Sequence, residues 1–381
     1  MDIKNLSTPV FMVDLDILEF NIKEMASLCK KNNKELWPMV KTHKSTQIAR
    51  MQQEAGAKGF LVGTLDEAEK LAQEGFKNIM LAYPAAGEQN VARVINTAKK
   101  SRIILSLDGM DAAKALNEAA KCHGLTLEYL IIIDSGLHRF GVLPEEAVKL
   151  ASNLSVLEYL KLVGIGTHPG HVYGASSSEE VKKVADEEMT AMKQARENME
   201  RAGFRINIVA TGSTPTAIYA AKDENITALR PGNYVFYDNI QMALGVVPES
   251  RCALAVLGTI ISHPREDIFI IDVGSKCLGL DKGAHGISLV KGYGLIKDHP
   301  ELLITDLSEE VGKIKIIGDT KVKVGDKLQV IPNHACSTAN MTDYLIGHRK
   351  GEIERAIYID IRGGSFRNPS VNDLFCLKSR I

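Results

Sequence analysis

Eight short apolar runs punctuate the first two thirds of this 381-residue chain, and segments of helical periodicity lie between them. The runs are Leu36 to Val40, Gly59 to Gly63, Asn78 to Tyr83, Arg102 to Leu107, Glu128 to Asp134, Leu162 to His168, Arg205 to Thr211 and Ile226 to Arg230. Strand-like runs alternating with amphipathic segments describe parallel βαβ units, because a parallel crossover needs a dozen or more residues and usually takes them as a helix. Segments such as Ser45 to Ala55, Leu65 to Glu74, Met110 to His123, Glu145 to Asn153 and Glu179 to Ala202 are long enough to be those crossovers. Eight units predict closure, and so an α/β fold of the (β/α)8 TIM-barrel type. An open doubly wound sheet is the rival; its dinucleotide-binding form needs GxGxxG after the first strand, and none stands there.

A barrel accounts for roughly 250 residues, which leaves over 100 for a second unit. After Gln241 the texture changes: β-type runs at Cys252 to Ser262, Ile268 to Val273, Lys321 to Ile331 and Ala356 to Arg362 are separated by loops rich in glycine and proline. These predict a mostly antiparallel β domain. The strand-like Pro9 to Val13 precedes a helix over Leu15 to Lys31 and can pair with either unit; the division adopted is a barrel over 14–241 and a β domain made of 1–13 plus 242–381. A formal net charge of -1 gives no basic excess for nucleic acid or anionic membrane. No apolar run reaches the roughly 18 residues of a membrane span, and the first residues lack a signal-peptide core, so a cytoplasmic protein is expected. Six scattered cysteines without a CxxC pair argue against a disulfide framework, and five of them are expected to be buried small hydrophobes.

In such a barrel the chemistry sits at the carboxyl ends of the strands. The first run ends in Pro38-Met-Val-Lys-Thr-His-Lys44, which places Lys41 at the mouth; a lysine partly desolvated there has a lowered pKa and can form a Schiff base. The fifth is followed by Asp134-Ser-Gly-Leu-His-Arg-Phe-Gly141, with Arg139 in a glycine-bounded loop, and the sixth by Thr167-His-Pro-Gly-His-Val-Tyr173, with two histidines and Tyr173. The seventh ends in Thr211-Gly-Ser-Thr-Pro-Thr216, whose N–H and hydroxyl groups suit an anion at the start of a short helix, and the eighth in Pro231-Gly-Asn-Tyr234. Loops after strands seven and eight commonly hold a phosphate in these barrels. Together with the lysine they imply a phosphorylated cofactor carrying an aldehyde. Taken singly, each loop has an ordinary structural reading; their joint placement on one face carries the functional one.

Lys41-Thr-His-Lys, the Asp134 to Gly141 loop, Thr211-Gly-Ser-Thr-Pro-Thr and Arg230-Pro-Gly-Asn-Tyr-Val-Phe-Tyr-Asp238 resemble, over nearly the whole chain, the fold-type III pyridoxal phosphate enzymes of the D-threonine aldolase and D-serine dehydratase group. The resemblance implies an alanine-racemase-like barrel followed by a β domain, in a head-to-tail homodimer whose active site lies between one subunit's barrel and the other's β domain. It implies that Lys41 carries pyridoxal 5'-phosphate, that Ser213, Thr214, Gly232 and Asn233 hold its phosphate, that Arg139 lies near the pyridine nitrogen, and that Tyr173 contacts the ring or its phenolic oxygen.

In Ile331-Pro-Asn-His-Ala-Cys336, a His-x-Cys pair at the end of a predicted strand would put both side chains on one face. Two ligands plus water or substrate oxygen make an open metal site, and thiolate with imidazole favours zinc, with manganese the alternative. The resemblance strengthens His334 and Cys336 as that pair. The implied substrate is a D-amino acid with a β-hydroxyl, and two reactions share these residues. Retro-aldol cleavage gives glycine and an aldehyde and needs a base for the hydroxyl, for which His43 and His171 are candidates. Dehydration has Lys41 remove the Cα proton and ends in a keto acid and ammonia. The chain-wide likeness, including Gly283-Ala-His-Gly286 and Lys291-Gly-Tyr-Gly294, favours the aldolase, whereas Cys336 stands where the aldolases carry aspartate and matches the zinc dehydratases. An amino acid racemase and a non-catalytic cofactor carrier are the rivals; neither has a use for His334 with Cys336.

Overall fold

The computed structural model describes residues 1–280, 282 and 289–362; Gly283-Ala-His-Gly286 and Cys376 lie outside the described residues. Eight parallel strands form the barrel: Glu35–Leu36, Phe60–Val62, Asn78–Leu81, Arg102–Leu107, Leu127–Ile132, Leu160–Gly166, Ile208–Thr211 and Ala228–Leu229. From the second onward each pairs with the next, and the first pairs with the eighth. Closure runs through Pro38. Having no N–H it cannot donate to a ladder, so the first strand ends after Leu36, but its carbonyl accepts from Leu61 N–H (2.9 Å) and Met39 bridges to Leu61 in the second strand. The ring is thereby completed at its mouth.

Alternate strand residues fill the interior, where Trp37, Met80, Ile104, Leu130 and Ala210 pack as one cluster. Trp37 needs room: a Cβ at Gly59 would come within 2.5 Å of its ring. The outward residues meet the surrounding helices, four of which start at a capping side chain. Asp14, Ser45, Thr64 and Ser177 each accept a backbone N–H from the first turn of the helix that follows.

The second sheet has nine strands and is antiparallel throughout except where Val10–Asp14 runs parallel to Tyr344–Arg349. Val10–Asp14 also pairs with Leu254–Arg265, so the N-terminal strand lies inside this sheet. Several expectations are corrected. The strand expected over Lys321 to Ile331 starts at Lys327, because Lys323 to Asp326 form a turn closed on the Asp326 carboxylate, with Gly325 at φ +95°. The last strand among the described residues is Glu352–Tyr358, earlier than Ala356 to Arg362. Leu302–Leu307, Gly312–Ile316 and Tyr344–Arg349 were not anticipated. Among the described cysteines Cys29, Cys252 and Cys277 are buried, but Cys122, in the last turn of an outer helix, is exposed. No helix among the described residues is long and apolar enough to cross a membrane.

Candidate active site

Beyond Met39 the chain turns out of the barrel wall into a single 3-10 turn, Val40–Thr42, so Lys41 stands just past the strand rather than on it. The turn is fixed from below. His43 and Lys44 N–H both donate to the Val40 carbonyl (3.0 and 2.9 Å). Lys44, at φ +43°, reaches Glu67 at 3.6 Å, and Glu67 accepts Gly63 N–H at 2.6 Å. Lys41 itself is exposed and lines a cavity at the barrel mouth.

Across this cavity the seventh and eighth loops form one wall. Gly212 takes φ +103° and turns the chain; Ser213 N–H then donates to Thr216 Oγ1 (3.1 Å), and Thr214 Oγ1 accepts Tyr234 N–H (3.1 Å), joining the two loops. At Gly232 a Cβ would lie 2.8 Å from Thr42 Oγ1 and 3.0 Å from Met39 Cβ, so glycine lets the eighth loop pass against the lysine turn. Ser213, Thr214, Gly232 and Asn233 thus line the same cavity as Lys41, in a cradle of hydroxyls and close backbone that fits a phosphate.

The floor carries a group not assigned a role from the sequence. Arg230 is buried; its guanidinium donates to the Thr167 carbonyl and lies against Met80 sulfur, while Nε has no partner among the described residues. Burial holds its pKa down to about 10, opposed by the nearby charge of Glu188. Arg139, expected near a ring nitrogen, is exposed at the rim, with its guanidinium 5.5 Å from the Tyr83 ring and 5.3 Å from that of Phe140. The buried cation is therefore Arg230.

Glu188 is fully buried, and burial pushes its carboxyl up to about 7 against the Gly212 N–H, Thr216 and Arg230. Its folded pKa exceeds the unfolded one, so between them the folded state holds a proton that the unfolded state has released. Stability therefore falls as pH rises through that window. Thermal unfolding of the native protein and of Glu188→Gln from pH 5 to pH 8 should show a gap that moves in favour of the variant by on the order of 2 kcal/mol; parallel pH profiles would refute it.

Two predicted bases lie off the cavity. His43 is completely buried behind the lysine turn, accepts Ser45 N–H at Nδ1 (3.1 Å), and is driven by burial to a pKa of about 4, so it is a neutral structural histidine. His171 turns under the fifth-strand loop, where a Cβ at Gly136 would come within 3.1 Å of its ring. The histidine of this loop that lines the cavity is His168, three residues before His171. Tyr173 also lines it, and burial raises its phenol far above the usual range.

His334 and Cys336 reach the same cavity, but not by strand alternation. The strand ends at Ile331; His334 is the cap residue of a short helix, Ala335–Ala339, and Cys336 lies in its first turn. The buried Asp238 sets that turn by accepting Ala335 N–H (2.9 Å), Gln241 N–H (3.1 Å) and the Asn233 side-chain amide (2.6 Å). Asp238 therefore ties the pair to the eighth barrel loop. Cys336 Sγ is 3.3 Å from Thr42 Oγ1, beside Lys41. Burial alone would raise its thiol pKa, but His334, Lys41 and Thr42 together bring it below the usual thiol range. The pair comes from this chain's own β domain and lines the cavity of its own barrel. Among the described residues no cluster of three or more His, Cys, Asp or Glu side chains is placed to hold a metal. A soft imidazole–thiol pair open to the cavity fits a metal with two protein donors and the remaining positions open.

A closed parallel barrel with a lysine after its first strand, a phosphate cradle on strands seven and eight and a β domain at its mouth defines the pyridoxal phosphate enzymes built on the alanine racemase barrel. Comparison with known proteins agrees. The chain belongs to the alanine racemase N-terminal domain family, whose model matches residues 13–239, and a putative serine dehydratase domain follows at 253–347; it is a lyase of the D-threonine aldolase and D-serine dehydratase type. A D-threo-3-hydroxyaspartate dehydratase from Delftia sp. (strain HT23) is 31% identical over 348 residues, 87% of this chain and 92% of the relative. A D-threonine aldolase from Filomicrobium marinum superposes with TM-score 0.89 at 25% identity, covering 96% of this chain and 98% of that one. The D-threo-3-hydroxyaspartate dehydratase superposes at 0.87 with 28% identity, covering 94% of this chain, both as a cysteine-to-alanine mutant in a metal-free form and as a histidine-to-alanine mutant; the coverage of those chains is 99% and 96%.

Proposed function

We propose that this chain removes water from a D-3-hydroxy amino acid, giving a keto acid and ammonia, with pyridoxal 5'-phosphate and one divalent metal, zinc by the donor set. The observation that carries the reading is the placement of Lys41 beside Cys336 and His334 on one cavity wall. Pyridoxal phosphate, bound through Lys41 with its phosphate against Ser213, Thr214, Gly232 and Asn233, supplies an electron sink for charge developing at Cα. A metal on His334 and Cys336 supplies a Lewis acid for the β-hydroxyl. Lys41 Nζ, released by the substrate's amine, takes the Cα proton. Arg230 and Tyr173, which line the cavity, would meet the cofactor ring, and Arg139 at the rim would meet the substrate's carboxylate. In the relative, the mutated histidine and cysteine lie two positions apart, as His334 and Cys336 do, and the cysteine mutant is metal-free. A homodimer is the assembly proposed.

Aldol cleavage is the second reading, supported by the closeness of the F. marinum aldolase fold and by His168. There His168, not His43 or His171, takes the hydroxyl proton. Product analysis decides between them. Protein supplied with cofactor and zinc should turn D-threonine into 2-oxobutanoate and ammonia, with chelator-treated enzyme and L-threonine giving none. Glycine with acetaldehyde would install the aldolase instead, and metal-independent formation of an L-enantiomer would make it a racemase.

A further inference from the structure

On the helix Ser178–Arg201 the buried positions are Val181, Ala185, Glu188, Met192, Ala195 and Met199. Their spacing is that of an apolar stripe facing the barrel, and one member is a carboxylate. An apolar residue there would pack without the cost of desolvating a charge, and a buried ion held short of its partners is destabilising. Stability of the helix therefore does not explain it.

The surroundings of Glu188 do. One carboxylate oxygen accepts both the Thr211 hydroxyl and Gly212 N–H (2.9 Å), at the point where the seventh strand turns into the cradle. Its other oxygen has no hydrogen-bond partner among the described residues, and neither has Arg230 Nε. The two are buried residues linked through Thr211, whose hydroxyl donates to Glu188 and whose carbonyl accepts Arg230 N–H (2.8 Å), and their opposite charges favour one another. Among the described residues the Arg230 guanidinium is otherwise hydrogen-bonded to neutral groups, the Thr167 carbonyl and Met80 sulfur.

We propose that Glu188 is a positioning residue for the cofactor: its carboxylate tethers the start of the phosphate cradle and supplies the counter-charge that keeps Arg230 in place on the floor. This rests on the pyridoxal phosphate reading above. Glu188 touches neither cofactor nor substrate; it acts through Gly212 and Arg230. Glutamine at 188 keeps an oxygen for Gly212 N–H and loses the charge, whereas alanine loses both.

The test is the rate at which loaded protein releases pyridoxal phosphate at pH 8, where the Glu188 carboxyl is ionised, followed by loss of its lysine-bound visible absorbance. Native protein, Glu188→Gln, Glu188→Ala, Arg230→Met and the Glu188→Gln/Arg230→Met double variant are compared, with thermal unfolding of each cofactor-free form. Glu188→Gln should speed release about tenfold in the native background and less than about twofold beside Arg230→Met, the non-additivity of residues that act as a pair. Glu188→Ala should release faster still. Additive effects, or a loss of thermal stability with release unchanged, would overturn the inference while leaving the cofactor assignment standing. Native protein without lysine-bound absorbance would remove both. Should Arg230→Met fail to fold, Glu188→Gln alone decides: an unchanged release rate overturns the proposal.

Discussion

Lys41→Ala should yield a folded protein that shows no visible absorbance of lysine-bound pyridoxal phosphate and turns over at least about 10³-fold more slowly, since one side chain carries both the covalent attachment and the Cα proton. Lys41 is the one lysine among the described residues that line the cavity. Lys44, its nearest companion in the chain, is held against Glu67 in the wall below and is not a substitute. The fold should tolerate the change, because Lys41 is exposed and the turn that carries it is fixed by Val40, Thr42 and His43 rather than by the lysine side chain. Substitutions away from packed or paired groups usually stay within about 0.5 kcal/mol. Absorbance spectra and a thermal melt on the same preparation separate the cases. A persistent visible band after the substitution would place the cofactor on another residue and undo the mouth assignment; a large loss of melting temperature would mean that Lys41 supports the turn.

How much of this was legible depended on what physics each segment reports locally. The barrel was legible because eight apolar runs and their crossover helices repeat one local pattern; even the two-residue strand Ala228–Leu229 lay within its run, whereas Glu35–Leu36 meets the first run, Leu36 to Val40, only at Leu36. The β domain was read less well, since its strands alternate polar and apolar residues and are cut by turns such as Lys323 to Asp326 whose residues alternate in the same way. In the site, residues fixed by strand ends came through: Lys41 and the seventh and eighth loops line one cavity. Directions of side chains in irregular loops did not. His168 and His171 share a loop three residues apart, and only the tertiary packing turns one into the cavity and the other under Gly136. Glu188 was hidden because a carboxylate at an inward helical position looks, in sequence, like any solvated residue of a charged helix. A signal existed for it: Glu188 interrupts the stripe of Val181, Ala185, Met192 and Ala195 at the spacing where an apolar residue belongs. Asp238 stood in a quoted motif, but its work of anchoring the helix that bears Cys336 joins residues nearly a hundred positions apart.

The metal pair is where a single atom type separates the two reactions, and its removal should have the second large effect. His334→Ala and Cys336→Ala should each keep the lysine-bound absorbance, because neither residue belongs to the phosphate cradle, yet bind less than about a tenth of the metal and lose about 10² to 10⁴-fold in turnover, the scale on which a Lewis acid and its orienting ligands act. Two protein donors make a weak site, so losing one leaves a single donor to hold an ion against water. Cys336→Asp is the more discriminating change. It keeps an anionic donor on the same helical turn, next to Thr42 and His334, and replaces soft sulfur with hard oxygen, so affinity should shift from zinc toward manganese. If thiolate-bound zinc is what drives hydroxide departure, this variant should lose ammonia formation more than metal content, and glycine should appear among the products where carboxylate ligation favours aldol cleavage. Metal analysis beside product analysis reads both at once. Unchanged turnover in His334→Ala or Cys336→Ala would take the metal out of the reaction, leaving Lys41 and the barrel to act as in a racemase; unchanged products in Cys336→Asp would show that the sulfur does not choose between dehydration and cleavage, and that the choice lies with the proton-transfer groups Lys41 and His168.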